Sequence, residues 1–246
     1  GGEGDTQGVF ADTAPRHVGG LMFLCRHSRP DTSFAVGRLA RRVAPGRWRK
    51  REDRSLARLF AYLRKTVEFC LFLYIVPGEA TRVVCYVDAD FAADLDTRRS
   101  TTCYLTFIIG ELSRALLGWN SNLQKAVSLS TCEAEYRALV DAGKYVLGSA
   151  SLHDFHRGLE SSTTGTTTTP IEIYGDAEAT QGVVRKGSSS NLRYMRKTGG
   201  ISFAWAKENL SQYLKRVPSP DNTSDIGTKS LAAEEFARHR DGLGVF

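Results

Sequence analysis

A chain of 246 residues with 41% hydrophobic side chains is long enough to bury one large core or two smaller ones, which excludes a wholly disordered polypeptide. Its net charge of +6 hints at a polyanionic partner. No apolar run is long enough to span a membrane, so no membrane partner is expected. The five cysteines, Cys25, Cys70, Cys85, Cys103 and Cys132, are odd in number and not spaced as a zinc site. They read as reduced thiols in an intracellular, cytoplasmic setting. The chain opens on Gly1-Gly2 without a signal peptide and reads as a piece of a longer protein.

Residues 1–16 are Gly-rich and polar and predict a flexible arm. Residues 17–79 predict a helical segment containing two helices. The first, from Thr32 to Val43, spaces Phe34, Val36, Leu39 and Val43 on one face. Pro45-Gly46 ends it. The second, from Trp48 to Thr66, carries Leu56, Leu59, Phe60 and Leu63. Between Arg38 and Lys65 stand about eleven Lys and Arg against two acids. Such a stripe is either a solvated helix face or a surface that tracks phosphates.

Residues 80–246 predict one further domain. Thr81–Asp88, Thr102–Ile109 and Ala115–Trp119 are strand-like, with gaps short enough for an antiparallel meander. Ser130 and Glu133 form a Ser-x-x-Glu capping pattern at the start of a long helix. The run from Ser161 to Pro170, "SSTTGTTTTP", reads as a polar linker. "IEIYGDAEATQGVV" reads as strand then helix, and "SQYLKRVPSPDNTSDIGTKSLAAEEFARHR" as strand, turn and final helix, ending in a frayed terminus. The order β-β-β-α-β-α-β-α predicts an α/β fold with a mixed five-stranded sheet flanked by helices.

Carboxylates punctuate that order. Asp88 ends the first strand, within a run that also holds Asp90, Asp94 and Asp96. Glu133 and Glu135 open the long helix, Asp176 ends the fourth strand, and Asp225 sits just inside the final helix. If the two strands are neighbours, Asp88 and Asp176 emerge at the same end of the sheet, where ligands of such sheets bind. Each acid alone is an ordinary turn, cap or surface residue. Converging, they would repel one another unless a cation neutralised them. Oxygen ligands without His or Cys favour Mg²⁺, with Mn²⁺ as a substitute. Two such ions are the usual device for cutting a phosphodiester, one activating the attacking water and the other stabilising the leaving oxygen. Arg98, Arg99 and Ser100, just past the acidic run, are candidates to meet a phosphate.

Four blocks in this order resemble the ribonuclease H domain of copia-type retrotransposon polyproteins. "YVDADFAADLDTRRSTTCYL" resembles Tyr-x-Asp-Ala-Asp-Trp-Ala-x-Asp followed by Asp-x-Arg-x-Ser-Thr-x-Gly-Tyr. "SLSTCEAEYRAL" resembles Ala-Leu-Ser-Ser-Thr-Glu-Ala-Glu-Tyr-x-Ala-Leu, and "IEIYGDAEAT" resembles Ile-x-Ile-Tyr-x-Asp-Asn-x-Ser. "RVPSPDNTSDIGTKSL" resembles x-Val-x-Thr-x-x-Gln-x-Ala-Asp-Ile-Leu-Thr-Lys-x-Leu. "HVGGLMFLCRHSRPDTSFAVGRLARR" is similar to the segment after the polymerase palm, so residues 17–79 would be the thumb and connection end of a reverse transcriptase. No Tyr-x-Asp-Asp polymerase motif is present.

The resemblance implies a ribonuclease H-like fold and two Mg²⁺ ions. It implies Asp88, Glu135, Asp176 and Asp225 as catalytic and metal-binding residues, with Glu135 preferred to Glu133 because Glu-Tyr-x-Ala-Leu begins there. It implies an endonuclease cutting the RNA strand of an RNA–DNA hybrid, with the hybrid and the rest of the polyprotein as partners, inside cytoplasmic virus-like particles. The alternatives are a catalytically silent connection or hybrid-binding module of a decayed element, and an integrase- or resolvase-type nuclease. The chain departs from the pattern in "WNSNLQK", in "DAEAT", which adds Glu178, in "MRKTGG", and in a loop from Pro218 to Asp221 that lacks histidine.

Overall fold

A computed structural model describes residues 6–158, 168–195 and 202–246. The linker around Ser161 and most of "MRKTGG" lie outside the described residues. The chain forms two compact units, one made of the N-terminal residues to Phe72 together with 231–246 and one of residues 73–230. None of the five cysteines is in a disulfide. Among the described residues, no helix is long and apolar enough to cross a membrane.

The first unit is helical, with α1 at Ala14–His27, α2 at Ser33–Ala40, α3 at Lys50–Lys65 and a C-terminal α7 at Ala233–Leu243. Helix α1 has no counterpart in the expected elements. Gly19 and Gly20 each cost about 1 kcal/mol of helix propensity. The helix nonetheless forms because Ala14, Val18, Leu21 and Cys25 fall on one buried stripe against Val36, Leu39, Trp48, Leu56 and Leu59. The expected arm is engaged from Gln7 onward. Gln7 bridges to Arg49, and the Val9 amide donates to Asp53 at 2.7 Å.

A buried ion pair organises this unit. Arg29 grips Asp31 with two hydrogen bonds, of 3.0 and 2.8 Å, and Tyr62 donates to the same carboxylate at 2.6 Å. The remaining guanidinium protons reach the Thr66 carbonyl and hydroxyl at 3.1 and 2.9 Å. The end of the chain is likewise built in. Phe236 meets Tyr62 edge to face, Cys70 and Phe72 donate to the carbonyls of Phe246 and Gly244, and Val245 is fully buried. The expected frayed terminus is therefore ordered, and the final helix belongs with the N-terminal helices and not with the sheet.

Helix α3 buries Leu56 and Leu59 and turns its cations outward. Arg51, Arg54, Arg58 and Lys65 share one exposed face, along about 21 Å of helix. Arg54, Arg58 and Lys65 form no ion pair among the described residues.

The second unit carries the sheet, with β1 at Arg82–Asp90, β2 at Thr101–Ile109, β3 at Arg114–Leu123, β4 at Ile171–Gly175 and β5 at Leu214–Arg216. Its helices are α4 at Thr131–His156, α5 at Glu178–Lys186 and α6 at Phe203–Leu210. The strand order is β3-β2-β1-β4-β5. The first three strands are antiparallel, and β4 and β5 run parallel to β1. This is the mixed five-stranded α/β sheet expected from the sequence.

Alternation along β1 divides its side chains. Val83, Cys85, Val87 and Ala89 join the core under α4, which presents Ala134, Ala138, Ala142, Val146 and Ala150 at every fourth position. These small residues let the helix lie close on the strand. Asp88 falls on the alternate set with Val84 and Tyr86.

Cutting the Arg29–Asp31 pair should destabilise the helical unit severely. Asp31→Ala leaves a buried guanidinium without its counter-charge and should cost about 3–5 kcal/mol in a denaturant melt. A loss below about 1 kcal/mol would mean that the pair is not structural.

Candidate active site

The parallel pairing of β1 with β4 matches Tyr86 to Tyr174, so two residues further on Asp88 and Asp176 come level. Asp176 lies just past β4, while Asp88 is still inside β1, paired with Cys103, and does not end the strand as the sequence suggested. Helix α4 brings Glu135 to the same place. Its start is pinned by Gln124, whose amide donates to the Thr102 hydroxyl and the Ala134 carbonyl, both at 2.9 Å. The Ala89 amide then donates to Glu135 at 3.4 Å. Among the described residues, Asp88, Glu135 and Asp176 are the group whose oxygens gather tightly enough for one cation, all within 4.8 Å of one another.

Asp225 approaches from the opposite end of the sequence. It lies in a 3₁₀ turn, Thr223–Gly227, and not inside an α-helix as the sequence suggested. Pro218 and Pro220 break the chain beforehand, and the Asn222 amide fastens the turn to the Val87 carbonyl at 3.1 Å. One Asp225 oxygen accepts from Lys229 at 2.8 Å, and the other is buried without a partner among the described residues. Thr228 donates to Asp88.

The two candidate glutamates are now distinguishable. Glu133 is saturated: it accepts from Leu129, Arg137 and Tyr194. Burial would raise its pKa, but those donors hold it below the ordinary value. Among the described residues Glu135 accepts one long bond, from the Ala89 amide. Burial, then the charges of Asp88 and Asp176, push it up to about 9. Asp225 is pushed up to about 7 by burial and by Asp88, and Asp88 is raised chiefly by burial.

The acidic run past β1 behaves as a turn. Asp94 accepts from the amides of Arg98 and Asp96. Asp90 is half-buried and its carboxyl is raised by burial and then by Asp88. Of the three candidate phosphate contacts, Arg98 is exposed and Arg99 half-buried, but Ser100 is fully buried and its hydroxyl accepts from Ala92. Ser100 closes the turn and is not available to a phosphate. The added acid Glu178 is 77% exposed and lies 3.6 Å from Arg216.

Sequence reasoning passed over Thr228 and Lys229, although both stand in the matched block. It also passed over a paired size change. The family pattern carries Gly where this chain has Cys103, and Leu where it has Gly227. A Cβ on Gly227 would collide with the Cys103 sulfur, so the turn bearing Asp225 can close on β2 only because this position is glycine.

These residues fit a hard divalent cation. The ligand set is oxygen only, one buried carboxylate oxygen has no partner among the described residues, and burial and like charges raise the Glu135 carboxyl, which a cation would offset.

No family model matches the chain. The retrovirus-related Pol polyprotein from transposon TNT 1-94 of Nicotiana tabacum is 31% identical over 235 residues, 93% of this chain and 16% of that polyprotein. The Pol polyprotein from transposon RE1 of Arabidopsis thaliana is 26% identical over 231 residues, again 93% of this chain, and 14% of that polyprotein. Secreted RxLR effector protein 161 of Plasmopara viticola is 35% identical over 128 residues, 51% of this chain and 82% of that protein. The chain thus spans less than a fifth of the transposon polyproteins it resembles. Among solved structures, the N-terminal RNase H domain of a Mycobacterium tuberculosis protein covers 66% of this chain and 98% of that one at 14% identity, with a TM-score of 0.35.

The raised carboxyls set a direction for stability. A carboxyl near 4.3 when unfolded and about 9 when folded makes the native state bind the extra proton across that window. Stability contributed by Glu135 is therefore lost as pH rises through it. Metal-free Glu135→Gln should melt about 2–4 °C or more above the parent at pH 8, with the gap closing near pH 5. Mg²⁺ should raise the melting temperature of the parent at pH 8 and do little for the variant. A parent and variant that melt together at pH 8 without metal would contradict the assignment.

Proposed function

The chain belongs to the family of copia-type retrotransposon Pol polyproteins, and from that premise we propose that its sheet-bearing unit is an endonuclease hydrolysing the RNA strand of RNA–DNA hybrids. The observation that carries this reading is the convergence of Asp88, Glu135 and Asp176 at one point, with Asp225 beside them. Asp88, Glu135 and Asp176, with Asp225 beside them, would hold Mg²⁺, which would supply the charge that activates water and stabilises the leaving oxygen.

The chain's own residues prepare that place. Asp88 is oriented by Thr228, and Glu135 by the Ala89 amide. Asp176 is set level with Asp88 by the strand register. Burial makes each charge interact more strongly than it would in water. Selection of a hybrid over plain duplex DNA would rest on 2′-hydroxyl contacts and duplex shape. The exposed face of α3 supports a polyanionic partner in its own right, since Arg54, Arg58 and Lys65 form no ion pair among the described residues.

Cleavage of a hybrid labelled on the RNA strand tests the reading. The parent should cut only with Mg²⁺ and with little sequence preference. Asp88→Asn should cut at least about 100-fold more slowly, the equivalent of about 2.7 kcal/mol of transition-state stabilisation. Hybrid binding by both but cutting by neither would instead favour the silent module. Efficient cutting of duplex DNA would favour an integrase-type nuclease.

The basic stripe has its own test. Replacing Arg54, Arg58 and Lys65 together by Gln should weaken hybrid binding at low salt. It should also flatten the log–log salt dependence by about 3, one per lost phosphate contact. An unchanged slope would return the stripe to a solvated helix face.

A further inference from the structure

The four carboxylates are not equivalent. Three of them, Asp88, Glu135 and Asp176, gather their oxygens for a cation. The fourth, Asp225, already has one: the Lys229 ammonium lies 2.8 Å from its Oδ2, one helical turn along the chain. Asp225 is almost wholly buried, and its Oδ1 has no partner among the described residues. The Lys229 side chain is 37% exposed, so its head group can swing to water without unfolding the turn. In its present place the ammonium acts on Asp88, Asp90, Glu135 and Asp225 together. An ammonium and a dication repel strongly at such range in a poorly solvated site.

We propose that Lys229 is a tethered counter-ion holding the second cation place of the metal-free site, so that two divalent ions bind unequally: one on Asp88, Glu135 and Asp176, and the other at Asp225 only when Lys229 withdraws. Lys229 is then a positioning residue that governs occupancy, and it belongs to none of the steps at the scissile bond. The inference rests on the metal-dependent reading above.

Mn²⁺ titration of the full chain, followed calorimetrically and by the electron paramagnetic resonance of free Mn²⁺, tests it without nucleic acid. The parent should show one tight site and a second weaker by about tenfold or more. Lys229→Met should tighten the second by about tenfold or more and leave the first within roughly threefold. Lys229→Arg keeps the charge and should preserve the inequality, which separates loss of the cation from damage to the turn. Two equal sites in the parent, or identical isotherms for the parent and Lys229→Met, would overturn the inference while leaving the metal site standing. A parent that takes up no Mn²⁺ at all would overturn the metal-dependent reading and the inference with it.

Discussion

Four carboxylates held at one end of a sheet are the constraint on which the rest of the sheet-bearing unit depends. Nothing about a five-stranded sheet requires them, and their repulsion and burial work against folding. The surrounding structure is arranged to hold them in spite of this. Gln124 fixes the start of α4 and so the place of Glu135. Asn222 ties the 3₁₀ turn to β1. Thr228 and Lys229, both from the few residues after that turn, supply a hydrogen bond to Asp88 and a charge to Asp225.

The sheet and the long helix were legible because their signals are local. Alternation marks β1 to β3, and Ser130 does accept from the Glu133 amide at the start of α4. The reciprocal half of the cap is displaced by one residue, to the Leu129 amide, because Glu133 also serves Arg137 and Tyr194. Helix α1 was not legible, since its two glycines argue against a helix and only packing on α2 and α3 argues for one. The place of the last helix was not legible either. Its union with the N-terminal helices depends on Phe236 meeting Tyr62 and on the pairing of Leu71 with Val245, contacts more than a hundred residues apart in sequence.

In the site, the acids were legible as types at recurring places, but their division of labour was not. Glu133 and Glu135 differ by two positions, which on a helix means different faces. Only the partners around each decide that Glu133 is held by three donor residues below its ordinary pKa and that Glu135, with one long bond from Ala89, is raised by burial and its acidic neighbours. Ser100 illustrates the converse. A serine after two arginines suggests a phosphate contact, whereas its burial and its bond from Ala92 make it part of the turn.

The pair Cys103 and Gly227 bears on whether this site has simply decayed. Measured against the family pattern, each position departs in size, the first by gaining a side chain and the second by losing one. The two lie against each other, so that a Cβ at 227 would strike the Cys103 sulfur. Either change alone damages the seat of Asp225: a leucine at 227 would not fit over Cys103, and a glycine at 103 would leave a cavity beneath Gly227. Together they preserve a close approach between β2 and the turn that carries the fourth carboxylate. Independent loss of function supplies no reason for two such departures to match in space. Retention of the turn's geometry supplies one, and it is the same geometry that brings Asp225 and Lys229 to Asp88.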